Sequence, residues 1–349
     1  MKPIQTGLAS YGMSGSVFHA PFLDMHPMFE LRTIVERTKD NARLRYPYVQ
    51  TVRSYGEMLE DPCIRLVVVN TPDVTHYEFA RNALIAGKHV IVEKPFVFTV
   101  AEGKALIALA NDKGLMLAVY QNRRWDGDFL TIRQLLQSGM LGRVVEFHSS
   151  YQRYRNYVQP GTWKEKADQR VGLTYNLGSH MIDQAVALFG IPQSVYADIG
   201  KLRENSEVDD FYHIQLIYQN LKVSLRASYL VREETPRYYI HGTKGSYLKY
   251  GIDPQEEMLK AGISPGIADW GVEKETDWGI LNTEINGLHF RGKIETSRGN
   301  YASFYDTIYQ ALRDGTPPPT SATAVLPVIH IIEAAFQSSE ERKAVNIQL

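Results

Sequence analysis

Short apolar runs alternate with helix-like segments through the first third of the chain. The apolar runs predict strands over residues 4–9, 29–35, 66–70, 89–92 and 115–120. Between them, apolar residues recur at helical spacing over 14–25, 74–86 and 101–113, and a glycine closely follows each of the last two segments. Because strands that alternate with helices pair in parallel, the pattern predicts a doubly wound parallel sheet.

The pattern changes after residue 122. A helix over 129–138 precedes strand-like runs over 143–151, 194–202, 211–218, 222–230 and 237–241, with one further helix over 176–189. These runs predict an α/β domain with an open, mostly antiparallel sheet. Residues 252–300 are rich in Gly, Asp and Glu and predict a long surface excursion, and helices over 301–313 and 322–341 close the chain. The predicted domains are therefore 1–122 and 123–349.

Composition narrows the class of protein. A length of 349 residues favours two domains over a single core. A formal net charge of −1 without a basic stripe argues against nucleic acid as a partner. The sequence contains no apolar run of the roughly 20 residues that a membrane span needs, and its start has no secretory pattern, so we expect a cytoplasmic protein. The single cysteine, Cys63, excludes an internal disulfide, and no histidine or cysteine motif predicts a metal site.

The turn between the first strand and the first helix carries a candidate cofactor motif. Its residues are Gly7, Ser10, Tyr11, Gly12, Met13, Ser14 and Gly15, which approximate the fingerprint G-x-G-x-x-G with serine in place of the first glycine. Gly12 would let the backbone approach a pyrophosphate, and Gly15 would allow close packing of the helix. The position between strand and helix predicts that this segment binds a dinucleotide.

The end of the second strand bears on the choice between NAD and NADP. Glu36 occupies the position where an acid accepts hydrogen bonds from the adenosine ribose. Arg37, Thr38 and Lys39 follow directly and would suit a 2′-phosphate instead. A solvated charged turn is a further interpretation, and the sequence leaves the cofactor as NAD(P)(H).

A lysine stands where the fourth apolar run ends. The tripeptide Glu93-Lys94-Pro95 directly follows residues 89–92. In an open parallel sheet, ligands bind outside the carboxyl ends of the strands. Lys94 is therefore the first candidate for an active-site residue.

A histidine in the second domain is the other candidate. Leu177, Met181 and Ala185 recur at helical spacing, so Asn176, His180 and Gln184 are predicted to share a different face. Histidine is the side chain best suited to accept and return a proton near neutral pH. Oxidation of an alcohol to a ketone requires such a group.

Taken together, the motifs resemble those of a known family. They are residues 9–15 with His19 and Pro21, Thr71-Pro72 with His76, Glu93-Lys94-Pro95, residues 122–125, residues 180–184, and residues 241–247 with 249–251. In order and spacing this set resembles the Gfo/Idh/MocA oxidoreductases, in particular their branch of NADP-dependent scyllo-inositol dehydrogenases. The likeness covers nearly the whole chain.

This resemblance implies an N-terminal Rossmann domain, a C-terminal substrate-binding and oligomerisation domain, and hydride exchange between nicotinamide and a cyclic polyol or sugar. It implies that Lys94 polarises the reacting hydroxyl and that His180 takes its proton. Residues implied to line the cofactor cleft, besides the glycine motif and 36–38, are Thr71, Pro72, His76, Glu93, Lys94 and Gln121. Residues implied to bind substrate are Lys94, Tyr151, Arg153, Arg155, Trp163, Asn176 and His180. An exposed charged loop is the competing interpretation of residues 153–163.

A homo-oligomer, dimer or tetramer, is also expected, because a second copy would cover the open sheet.

Two positions depart from the family pattern. Asn176 stands where the family usually has aspartate, and Gln121 stands where this branch often has histidine. They keep two alternatives open: a reductase of another carbonyl substrate, and an NAD(P)-binding regulatory protein with little turnover.

We expect Asn176→Asp to increase turnover of an inositol, because a carboxylate would stabilise the imidazolium that forms on His180 and raise its pKa. The rate of cofactor reduction across a broad pH range measures this effect. Turnover that stays unchanged throughout that range would count against this role for Asn176.

Overall fold

A computed structural model describes residues 2–162, 165–166 and 171–348. Its first sheet has six strands in the order β3-β2-β1-β4-β5-β6, and every neighbouring pair is parallel. The strands are β1 (Ile4–Leu8), β2 (Phe29–Val35), β3 (Gln50–Val52), β4 (Leu66–Val69), β5 (His89–Val92) and β6 (Leu117–Val119). The accompanying helices are α1 (Ala20–Met25), α2 (Asn41–Arg45), α3 (Tyr55–Glu60), α4 (His76–Ile85) and α5 (Val100–Asp112). This order confirms the doubly wound Rossmann sheet, with its switch point between β1 and β4.

The helical segment after β1 begins with a wide turn. Ser14–His19 is a π-helical turn that continues directly into α1, and the N–H of Ala20 donates to the carbonyl of Gly15. Pro21 follows at once and has no N–H to donate. The wide turn therefore brings the chain past the proline without breaking the helix.

The second sheet has nine strands in the order β14-β13-β12-β11-β7-β10-β9-β8-β15. The remaining helices and strands of the protein, in chain order, are α6 (Gly127–Ser138), β7 (Val144–Gln152), α7 (Ser179–Phe189), β8 (Ser194–Gly200), β9 (Phe211–Ile217), β10 (Lys222–Ser228), β11 (Tyr238–Gly242), β12 (Gly245–Lys249), α8 (Gln255–Lys260), β13 (Gly279–Ile285), β14 (Leu288–Ile294), α9 (Ala302–Asp314), α10 (Ala322–Glu341) and β15 (Val345–Asn346). The strands β7 and β10 pair in parallel, and the other recorded neighbours are antiparallel. The predicted mostly antiparallel sheet is confirmed.

The predicted surface excursion over residues 252–300 was wrong. This stretch contains the helix α8 and the strands β13 and β14, which extend the second sheet at one edge. The inward positions of β13 are Gly279, Leu281 and Thr283, all buried. Because only one of these residues is a large apolar side chain, alternation of apolar and polar residues did not reveal the strand.

The chain divides into two compact units, and both are discontinuous in sequence. The first unit comprises residues 1–122, 255–270 and 300–326, and the second comprises 123–254, 271–299 and 327–349. Two late segments therefore pack with the parallel sheet. The division into domains 1–122 and 123–349 remains a proposal.

The helix α10 is long and apolar enough to cross a membrane by length and composition alone, with a mean hydropathy of 1.2. Half of its most apolar window is nevertheless buried inside the protein. One helix of this kind is weak evidence for a membrane span, because the core helix of a soluble protein passes the same test of length and composition.

Candidate active site

In the first unit, Asn70 fixes the glycine-rich turn after β1. Asn70 directly follows β4, and its side chain accepts a hydrogen bond from the Ser10 N–H at 3.0 Å and donates to the Ser10 carbonyl at 2.8 Å. The Ser10 hydroxyl donates in return to the Asn70 carbonyl at 2.9 Å. The motif did not identify Asn70, although its position at the end of a strand beside the switch point is a usable signal.

The glycines of the motif have different surroundings. A Cβ atom on Gly15 would lie 2.3 Å from the Ser10 carbonyl oxygen and 2.7 Å from the Asn70 side chain. A Cβ on Gly12 would meet nothing within 4 Å, so this part of the loop faces open space. Gly7 lies within β1, where a Cβ would be 2.6 Å from the Met58 sulfur. The loop is held tightly at Ser10 and Gly15, and its backbone is open at Gly12. This combination fits the pyrophosphate of a dinucleotide.

Glu93 joins this loop to Lys94. One carboxylate oxygen of Glu93 accepts a hydrogen bond from the Ser14 hydroxyl at 2.6 Å, and the other accepts from the Lys94 N–H at 2.9 Å. Burial would raise the pKa of Glu93, but the hydrogen bond and charge of His19, the charge of Lys94 and the Ser14 hydroxyl lower it to about 2. The structure therefore brings Ser14, Glu93 and Lys94 together around an ionised carboxylate, with the half-buried Lys94 directly after β5.

His76 ties the end of β4 to the segment after β5. Its two ring nitrogens lie 2.7 Å from the Pro95 carbonyl oxygen and 3.0 Å from the Thr71 carbonyl oxygen, and its side chain is fully buried. Pro95 follows Lys94 through a cis peptide bond. Thr71 and Pro72 are more accessible than His76, and Thr71 accepts a hydrogen bond from the Thr75 hydroxyl. His76 thus holds the backbone on either side of the site.

Glu36 is engaged in capping a helix. Its two carboxylate oxygens accept hydrogen bonds from the backbone N–H groups of Asn41 at 3.2 Å and Ala42 at 2.9 Å, in the first turn of α2. The side chain is buried, whereas Arg37 and Thr38 are exposed. Arg53 fixes the turn further by donating to the Glu36 carbonyl oxygen at 3.0 Å. The motif alone did not reveal this capping role.

Gln121 lies two residues beyond the end of β6, and its side chain is 1% exposed. Within the described part of the chain, its side-chain oxygen has no hydrogen-bond partner.

In the second unit, two buried residues anchor the helix α7, which carries His180. Asp183 accepts a paired hydrogen bond from the Arg124 guanidinium at 2.8 and 2.7 Å. Gln184 donates to the Arg123 carbonyl at 2.9 Å and accepts from the Tyr238 hydroxyl at 2.8 Å. His180 itself is buried, one turn earlier on the same helix.

Asn176 differs from His180 in exposure. It lies in the π-helical turn Thr174–Gly178 and is exposed, whereas His180 and Gln184 are buried. A π-helical turn places its residues off the regular spacing of an α-helix. The spacing of apolar residues gave no sign of this turn.

Two of the predicted substrate residues line one cavity of the second unit. This cavity has a volume of about 280 Å³, and Tyr151 and Arg153 are among its lining residues. The buried Arg237, which also lines it, stacks over the Tyr151 ring at 4.0 Å. Arg155 lies 5.2 Å from the centre of the Tyr229 ring. Trp163, the remaining predicted aromatic wall, lies outside the described residues.

A parallel sheet in Rossmann order, an open glycine-rich turn and a lysine at the end of β5 define a dinucleotide-binding oxidoreductase. Residues 4–121 match the oxidoreductase-family model of an NAD-binding Rossmann fold, and residues 133–347 match the C-terminal alpha/beta domain of the same family. The chain belongs to the Gfo/Idh/MocA family of oxidoreductases, so it is an NAD(P)-dependent enzyme that acts on CH–OH groups.

Several relatives align with this chain over nearly its full length. The chain is 40% identical over 345 residues to scyllo-inositol 2-dehydrogenase (NADP(+)) IolW of Bacillus subtilis, covering 99% of this chain and 96% of the relative. It is 38% identical over 339 residues to the uncharacterized oxidoreductase YdgJ of Escherichia coli, covering 97% of each. The crystal structure of a protein from Bacteroides fragilis superposes with a TM-score of 0.92 at 54% identity, and the match covers 99% of this chain and 100% of that one.

We expect Gly15→Ala to weaken dinucleotide binding by at least about tenfold and to lower the melting temperature, because its Cβ would collide with a backbone carbonyl that cannot move freely. Titration with NADPH, followed by the fluorescence of the nicotinamide, measures the first effect. Differential scanning calorimetry measures the second.

Two matched variants separate packing from contact with the cofactor. Gly12→Ala has open space around its Cβ, so the melting temperature should stay unchanged while NADPH binding weakens. Gly56→Ala also meets nothing within 4 Å and lies in α3, so it should alter neither property adversely. A Gly15→Ala protein as stable as wild type would contradict the close approach described for this turn.

Proposed function

We propose that this chain oxidises a cyclic polyol or sugar, with an inositol as the favoured substrate and NADP⁺ as the favoured cofactor. The observation that carries the proposal is the 40% identity, over 99% of the chain, to a relative named scyllo-inositol 2-dehydrogenase (NADP(+)). The ionised Glu93 beside Lys94 supports it, because a charged lysine next to the cofactor loop suits the oxidation of a hydroxyl group.

In the proposed reaction the substrate loses one hydride from a carbon atom and one proton from the hydroxyl group on that carbon. The nicotinamide, when bound, supplies the acceptor for the hydride that leaves the carbon of the substrate. Lys94 donates a hydrogen bond to the hydroxyl oxygen and stabilises the negative charge that develops there. His180 accepts the hydroxyl proton as the carbonyl forms. Tyr151 and Arg153 contact the hydroxyls that do not react.

The preference for NADP⁺ rests on the surroundings of Glu36. Both of its carboxylate oxygens already accept backbone N–H groups of α2, so its ability to bind ribose hydroxyls is reduced. The exposed side chains of Arg37 and Thr38 offer a cation and a hydroxyl group to a 2′-phosphate.

We expect purified wild-type protein to reduce NADP⁺ with scyllo-inositol or myo-inositol, because Lys94 and His180 supply the required polarisation and proton acceptor. Absorbance of the reduced nicotinamide measures the rate, with common aldoses as competing substrates. Lys94→Ala and His180→Ala should each lower kcat by roughly a hundredfold or more.

Two outcomes would redirect the assignment. Cofactor binding without turnover on any polyol would favour another carbonyl substrate, and Asn176 and Gln121 would then be the residues to examine. Cofactor binding without turnover on a wide panel of aldehydes and ketones as well would favour a regulatory protein.

We expect Arg37→Ala to lower kcat/KM for NADP⁺ by about tenfold, because an exposed charged hydrogen bond to phosphate is lost, and to leave kcat/KM for NAD⁺ unchanged. Arg43→Ala is the matched control, since Arg43 is an exposed arginine in the nearby helix α2. Equal losses with both cofactors would argue against recognition of the phosphate by Arg37.

The proposal includes a cytoplasmic homo-oligomer. On β7 and β11 the side chains of His148, Tyr239 and His241 are partly exposed, and a second copy would cover them. A mass of 39.7 kDa by light scattering, the mass of one chain, would contradict the oligomer.

A further inference from the structure

A chain of buried polar groups extends from Glu93 to a helix far away in sequence. The ring of His19 has one nitrogen 3.1 Å from the Glu93 carboxylate and the other 2.7 Å from the hydroxyl of Tyr305. His19 and Tyr305 are both fully buried. Tyr305 belongs to α9, in the late segment 300–326 that packs with the first unit.

The Tyr305 hydroxyl is a polar group in largely aromatic surroundings. Its ring packs among aromatic side chains, with ring centres 5.7 Å from Phe29, 6.2 Å from Phe22 and 5.3 Å from Phe304. Burial raises the pKa of Tyr305 well above its usual value, so the hydroxyl keeps its proton. A protonated hydroxyl in an aromatic setting is available as a donor to His19.

A neutral His19 that accepts at Nδ1 from the Tyr305 hydroxyl carries its proton on Nε2, and a charged His19 carries a proton on both ring nitrogens. In either form Nε2–H donates to Glu93. A carboxylate without such donors would not stay ionised in a buried site, because burial favours the protonated form. Tyr305 and Glu93 therefore hold the His19 ring between them, with Nε2–H directed at the carboxylate.

We propose that Tyr305 and His19 are positioning residues, which keep Glu93 ionised and thereby hold the glycine-rich loop and Lys94 in one arrangement. The catalytic part of this inference rests on the proposed function, because it assigns the reacting hydroxyl to Lys94. The anchoring part does not, since Ser14 and the Lys94 N–H both bind Glu93 in the structure.

Four titratable groups on the neighbouring elements interact electrostatically with Glu93. They are His19 in the π-helical turn, Lys94 after β5, Tyr120 after β6 and Tyr305 in α9. The two tyrosines remain neutral because burial raises the pKa of each. The state of Glu93 in the acid range therefore depends on His19 and Lys94, and Tyr305 acts through His19.

The experiment compares Tyr305→Phe, His19→Leu and His19→Gln with wild type. Phenylalanine preserves the aromatic packing and removes only the donor. Tyr309→Phe is the control, because Tyr309 lies one turn later on α9, with Arg313 over its ring at 5.9 Å. The free energy of unfolding by urea is measured from about pH 8 to about pH 2, so that the range includes the folded pKa of Glu93, and kcat/KM for the polyol is measured over the same range.

The free energy of unfolding depends on pH because Glu93 binds its proton with a different pKa in the folded and unfolded states. In wild type the lowered pKa of Glu93 contributes stability above its unfolded-state value, and this contribution is lost as pH falls towards the folded value of about 2. In Tyr305→Phe and His19→Leu the folded pKa rises, so the variant loses this contribution and is destabilised most at high pH. Its deficit relative to wild type then narrows as pH falls and both carboxyls protonate.

We expect the unfolding constants of Tyr305→Phe and wild type to differ by about tenfold near neutral pH, and by clearly less at the acid end. Its kcat/KM should fall about tenfold, and the acid limb of the profile should move to higher pH, since the active form needs ionised Glu93. His19→Gln, which keeps a donor for the carboxylate, should lie between His19→Leu and wild type.

A stability deficit that is the same at every pH would overturn the inference, because it would show that Tyr305 and His19 only fill space. So would Tyr305→Phe and His19→Leu proteins that match Tyr309→Phe in both measurements. If wild type oxidises no polyol, the proposed function fails, and the pH dependence of stability alone decides whether Glu93 is anchored as described.

Discussion

The ionised carboxylate of Glu93 is the constraint on which the candidate active site depends. Burying a charge is unfavourable unless donors surround it, and here two distant parts of the chain provide them. Ser14 and His19 come from the two ends of the π-helical turn that follows β1, and the Lys94 N–H comes from the end of β5. The result is that the loop expected to bind the dinucleotide and the lysine expected to bind the substrate share one buried anchor.

Much of the fold could be predicted from the sequence because β4, β5 and β6 are short and almost wholly apolar. The four residues of β4 are all fully buried, and such runs are recognisable without any partner strand. The strand β13 could not be recognised in this way, since its inward side chains include Gly279 and Thr283. The discontinuous units were also hidden, because periodicity describes a segment and carries no information about which distant segment it contacts.

The candidate site was predictable to a similar extent and for similar reasons. Lys94 and the glycine motif lie at places that topology alone marks as functional, namely the carboxyl ends of parallel strands. Asn70, Tyr305 and the capping role of Glu36 depend on contacts between residues distant in sequence or on the direction of a side chain. A motif identifies a residue type at a position, but it does not state which hydrogen bonds that residue has already made.

The two units hold their candidate residues by the same physical means. In the first, a buried carboxylate receives several donors beside Lys94. In the second, Asp183 receives both arms of Arg124 and Gln184 bridges to Tyr238, so α7 is fixed one turn after His180. A rigid arrangement is costly to build from long, flexible side chains, and buried charged hydrogen bonds are strong enough to offset the lost conformational entropy. Because hydride transfer demands close control of position, a buried and well-bonded carboxylate next to Lys94, and another one turn after His180, are consistent with the roles proposed for those two residues.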